Sequence, residues 1–116
     1  MTSLFLPWLI LPAAFGATTA PIDASFFESR VRPTLIQHCF ECHGQKNTRG
    51  GLRVDSREAL LKGGDSGPAL IPGKASESLL IQAIHRVDPK RAMPPKATLP
   101  AQAIADLVNW VNAGAP

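Results

Sequence analysis

The sequence predicts an all-α domain of about four short helices held apart by long loops. Three observations carry this reading. Apolar residues recur three and four positions apart in four separate stretches. No stretch of useful length alternates apolar and polar residues, as a half-buried strand would. Between the periodic stretches, glycine and proline cluster densely enough to forbid any regular element.

The first helix is predicted in "SFFESRVRPTLIQHC", where Phe27, Val31, Leu35 and Ile36 recur at helical spacing. Ser25 and Glu28 have the separation of a capping box. Pro33 falls inside the pattern, so this helix is kinked or split in two. A polar, glycine-rich loop follows, "GQKNTRGGLR". The second helix is short, "DSREALLKGG", with Asp55 and Glu58 as a second capping box and Gly63 as its stop. "GGDSGPALIPG" is irregular, since its four glycines and two prolines leave no room for a ladder or a helix. The third helix is "SESLLIQAIHR", capped by Ser76, with Leu79, Leu80, Ala83 and Ile84 on one face. Four prolines make "VDPKRAMPPKATLP" a loop. In the last helix, "AQAIADLVNWVNAG", the apolar stripe is Ile104, Leu107, Val108 and Val111, and Gly114 ends it. Loops this long are uncommon in a compact domain unless they have a function or an object to wrap.

The chain divides into a leader, residues 1–20, and a domain, residues 21–116. No charged side chain precedes Asp23, and an apolar run extends from Leu4 to Phe15. That run is too short to span a bilayer. It is followed by small residues at Ala14, Gly16, Ala17 and Ala20, the pattern of a secretory signal cleaved after Gly16, Ala17 or Ala20. No Lys or Arg precedes the run, so an uncleaved membrane anchor or a buried N-terminal helix stays open as an alternative. Export places the domain in the periplasm or cell envelope, with membrane attachment only through an uncleaved signal.

The remaining domain has few large side chains. Its aromatics are Phe26, Phe27, Phe40 and Trp110, and it has no tyrosine. Small domains are hard to stabilise by their own core. The usual remedies are disulfides, a metal or a large apolar cofactor, and two cysteines close at most one short bridge. The net charge of +3 is too small to argue for nucleic acid and suits docking on an acidic partner surface. No carboxylate pair or Ser/His/Asp set suggests a catalytic acid, base or nucleophile.

Both cysteines lie in "QHCFECHG", as Cys39 and Cys42, with His43 directly after. Three chemistries use such a pair. A structural zinc site needs four ligands, and beyond this run the chain offers only His85. A thioredoxin-like redox pair needs a strand–helix setting that the sequence does not contain. Covalent attachment of c-type haem needs this spacing in an exported protein, with two thiols adding to the vinyl groups and the adjacent histidine binding the iron. Past the initiator the chain has one methionine, Met93 in "RAMPPK", polar-flanked and outside every apolar stripe. It reads either as a surface or gap-filling residue or as a thioether ligand, which raises the reduction potential. His85 is a weaker candidate for the same position, and His38 reads as a surface or packing residue. Arg86, Lys90, Arg91 and Lys96 surround Met93 with only Asp88 opposing, as a docking rim, as counter-charge for haem propionates, or as a solvated loop.

Three segments together resemble the planctomycete-type cytochrome c domain, and more broadly a class I c-type cytochrome. They are "FFESRVRPTLIQHCFECHG", "RGGLRVDSREALLKGGDSGPALIPGKASESLLIQAI" and "MPPKATLPAQAIADLVNWVNAGAP". The resemblance covers nearly the whole domain. It implies short helices and long loops wrapped round one haem c, with Cys39 and Cys42 as thioether donors, His43 as proximal ligand and Met93 as distal ligand. It also implies that "SGPALIPG" lies by the proximal side, with the Pro68 carbonyl accepting a hydrogen bond from the His43 ring. Trp110, on a helix that crosses the first, is then core and touches the haem edge. Pro100 departs from the usual hydroxyl cap, but proline suits a first helical turn. The implied role is single-electron transfer with redox proteins as donor and acceptor. Two alternatives remain: a haem enzyme or gas sensor with an open sixth position, or an N-terminal module of a larger secreted enzyme.

Overall fold

The computed structural model describes residues 2–5, 7–10 and 21–116. Among these the chain is helical, and its only bridges of β type are isolated, His43 with Thr48 and Gly64 with Gly67. Residues 2–5 and 7–10 have no regular structure, and Leu4, Phe5, Trp8, Leu9 and Ile10 are exposed rather than packed on the domain. The expected cleavage positions at Gly16, Ala17 and Ala20 lie outside the described residues.

The first helical run is in three parts: α1 (Ala24–Phe26), a π-helical turn (Phe27–Val31) and α2 (Arg32–His38). Its cap is Asp23, not Ser25. The Asp23 Oδ1 accepts from the amides of Ser25 at 3.0 Å and Phe26 at 3.1 Å. A carboxylate there also complements the helix dipole. The expected capping box fails because Glu28 is engaged elsewhere, in a two-point ion pair with Arg32 at 2.8 and 3.1 Å. The π turn is how the run accommodates Pro33. The Arg32 amide reaches back to the Phe27 carbonyl, and Pro33 falls in the first turn of α2, where a missing N–H costs little.

After α3 (Phe40–His43) come α4 (Arg57–Lys62), α5 (Leu79–Ile84) and α6 (Ala101–Asn112). Two more caps differ from expectation, each for a visible reason. Asp55 is paired with Arg53, which holds its carboxyl below the usual range, so Ser56 caps α4 through the Ala59 amide. Ser76 lies within a short 3-10 turn, Ala75–Glu77, and Ser78 stands at the N-cap of α5. The buried Ser78 hydroxyl instead accepts from the Ile71 amide at 2.9 Å and donates to the Lys74 carbonyl at 2.9 Å, closing that loop. Gly63 does end α4, at φ 72° and ψ −162°. A Cβ there would stand 1.9 Å from the Gly67 carbonyl oxygen, so both space and backbone require glycine.

One core joins these elements: Val31 and Leu35 from the first run, Leu60 from α4, Ile81 and Ile84 from α5, and Leu107, Trp110 and Val111 from α6. Trp110 is its largest fully buried side chain. Its ring lies 5.4 Å from that of Phe27, which fastens α6 across the first run. The indole N–H donates to the Pro116 carbonyl at 2.8 Å. Trp110→Ala is expected to cost about 3–5 kcal/mol, as large-to-small core changes of aromatic residues do. Guanidinium denaturation followed by circular dichroism checks this. A loss below about 1 kcal/mol would place Trp110 outside the stabilising core.

Candidate functional site: a cavity behind the Cys-x-x-Cys-His turn

Helix α2 breaks at Cys39, whose φ is −124°. The Cys39 amide still donates to the Leu35 carbonyl at 2.9 Å, and its own carbonyl accepts from Cys42 at 3.3 Å and His43 at 2.9 Å. One tight turn therefore carries all three side chains to the same cavity. Gly44 follows because a Cβ there would meet the Phe40 carbonyl oxygen at 2.6 Å. The cavity measures about 410 Å³, within the range of small-molecule and cofactor sites.

The His43 ring is oriented by the backbone. Its Nδ1 lies 3.3 Å from the Leu52 carbonyl oxygen, and the Val54 amide donates to the His43 carbonyl at 2.9 Å. A carbonyl only accepts, so this contact favours the tautomer with its hydrogen on Nδ1, the one that turns Nε2 to a metal. This corrects one expectation: the carbonyl facing the ring belongs to Leu52, not Pro68. Pro68 is exposed and does not line the cavity, although its neighbours Ser66, Gly67 and Ala69 do. The loop 63–68 is held beside the cavity by the Asp65 amide, which donates to the Gly50 carbonyl at 2.8 Å.

Burial pushes the Cys39 thiol up to about 11, with the neighbouring Cys42 adding to the effect. Redox-active cysteines have the opposite shift, so this thiol is a poor match for disulfide chemistry. Among the described residues no group of three or more His, Cys, Asp or Glu side chains is gathered as a metal site.

The apolar wall comes from α5 through Leu79, Leu80, Ala83 and Ile84, and from Leu52 and Val54. Met93 lines the same cavity from the loop beyond α5, where its amide donates to the Ala83 carbonyl at 3.0 Å. Its side chain is 38% exposed, so it is not a core filler. His85 is exposed and does not line the cavity, whereas His38 does. Trp110 belongs to the core and does not reach the cavity.

The four basic residues round Met93 do not act alike. Lys90 and Arg91 border the cavity, joined from the far loop by Arg49, with Asp65 and Asp88 also on its edge. Lys96 does not border it. Arg86 is turned away from any rim: its guanidinium donates to the carbonyls of Pro94 at 2.7 Å, Ala97 at 3.1 Å and Pro95 at 3.4 Å.

A helical domain that walls an apolar cavity with a Cys-x-x-Cys-His turn has the features of a cytochrome c. The planctomycete cytochrome C family model matches residues 39–97, about half of the chain, and the chain belongs to that family. No curated protein and no solved structure matches it. Membership brings a haem-binding, electron-transfer role and covalently bound haem c, and it fits an electron carrier rather than an enzyme. The residues present fit that group, since two thiols, a histidine with a free Nε2 and a thioether meet on one apolar cavity. Among the described residues no helix is long and apolar enough to cross a membrane.

Proposed function

We propose that residues 21–116 form an exported monohaem cytochrome c domain that passes single electrons between redox proteins. The observation that carries this reading is the convergence of Met93 with Cys39, Cys42 and His43 on one cavity, from segments fifty residues apart. When bound, haem supplies a one-electron ferric/ferrous couple. Cys39 and Cys42 would hold it through thioethers, and His43, through Nε2, and the Met93 thioether would be the iron ligands. The Leu52 carbonyl keeps the imidazole in the right tautomer and turned toward the cavity. The apolar α5 wall would shield it from water, and Arg49, Lys90 and Arg91 at the cavity edge would offset the propionate charge. The excess of positive charge favours an acidic docking partner. Export fits the exposed, unpacked apolar leader and the site of haem attachment outside the cytoplasm.

The test is a pyridine haemochrome spectrum of protein made in a host able to attach haem. The expected result is one haem per chain, retained under denaturing conditions. Haem that is released on denaturation would falsify covalent attachment. Carbon monoxide binding readily to the reduced protein would argue for an open sixth position instead.

A further inference from the structure

We infer that Arg86 is a positioning residue for the Met93 thioether, holding the ligand loop from the end of α5. This rests on the assignment of Met93 as distal ligand. The end of α5 is a Schellman turn: the Val87 amide donates to the Gln82 carbonyl at 3.2 Å and the Arg86 amide to the Ala83 carbonyl at 3.1 Å. Arg86 is the left-handed residue of that turn, at φ 58°. Glycine adopts this conformation without steric cost and is the common choice, whereas arginine does not. A disfavoured backbone state at a position where glycine would serve points to a use for the side chain.

The use is visible in the loop. Pro94 and Pro95 have no amide hydrogen, so the chain just after Met93 cannot tie itself down by donating. The carbonyls of Pro94, Pro95 and Ala97 accept no other hydrogen bond among the described residues. Between Met93 and Pro100, the Met93 amide on the Ala83 carbonyl and the Arg86 guanidinium are the hydrogen-bonded ties to α5 among the described residues. Ala83 thus accepts from both Arg86 and Met93, and one helix end sets the ligand loop at two points. The planar fork of arginine spreads its donors over three nitrogens in a fixed geometry, whereas the three donors of lysine converge on one nitrogen of a flexible stem.

The experiment compares wild-type, Arg86→Gly and Arg86→Lys holoproteins. Imidazole is titrated into the oxidised forms while the near-infrared sulfur-to-iron charge-transfer band is followed. Arg86→Gly keeps the turn and removes the guanidinium. It is expected to raise imidazole affinity about tenfold or more, the size that loss of charge-assisted hydrogen bonds implies, with the helical spectrum unchanged. Arg86→Lys should fall between. A purely structural role would move the denaturation midpoint and leave imidazole affinity alone. Imidazole affinity within about twofold of wild type, with the band intact in Arg86→Gly, overturns this inference and leaves Met93 as ligand. A wild-type protein with no band overturns both. If Arg86→Gly fails to fold, unchanged imidazole affinity in Arg86→Lys is the overturning result.

Discussion

Replacing Cys39 and Cys42 together by alanine is expected to abolish haem retention and to leave a largely unfolded chain. On the proposed reading the thioethers would be the covalent hold, and their loss would leave only the His43 and Met93 ligands. The larger effect is on the fold. Val54, Ala69, Leu80 and Ile84 belong to the hydrophobic core and also line the cavity. They pack on one side against protein and on the other against whatever fills about 410 Å³. An unfilled cavity costs about 24 cal/mol per Å³, which for this volume is about 10 kcal/mol as an upper bound, because water enters an open site. Whole domains are stable by about 5–15 kcal/mol. The upper bound is therefore of the same order as the stability itself. Far-ultraviolet circular dichroism of the double variant reads the outcome. A native-like helical spectrum would show that the protein core suffices without its guest.

Met93→Ala is expected to change the redox site strongly and the fold weakly. The side chain is 38% exposed and outside the buried cluster, so stability should fall by no more than about 1 kcal/mol. At the iron the consequence is larger. The sulfur-to-iron band should vanish, and carbon monoxide should bind the reduced protein readily. The reduction potential should drop by a sizeable part of the roughly 0.8 V span that axial ligands control, since a thioether favours the reduced state. Potentiometry and near-infrared absorption check both. An unchanged band and potential would make Met93 a gap-filling residue and reopen the search for a sixth ligand.

The helical class and the four periodic stretches were legible because each is a local pattern of apolar spacing and breakers. The Cys39, Cys42 and His43 turn was legible for the same reason: the three side chains that line one cavity are adjacent in sequence. The caps were misassigned because Ser25, Ser76 and Asp55 each met a local template, while Asp23 took the first cap, Ser76 fell within a 3-10 turn and Arg53 engaged Asp55. Pro33 announced an irregularity but not its form, since a kink, a split helix and a π turn each accommodate a missing N–H.

By itself the sequence determined the helical class, the Cys-x-x-Cys-His turn and the candidacy of Met93. Each rests on residue types within a few positions of one another, or on the scarcity of alternatives. Only the tertiary structure decided that Leu52, and not Pro68, faces His43, and that Arg86 serves the loop rather than a rim. Both are contacts to backbone carbonyls. Every residue carries a carbonyl, so no residue type marks the one that is used, and only the folded path of the chain selects it.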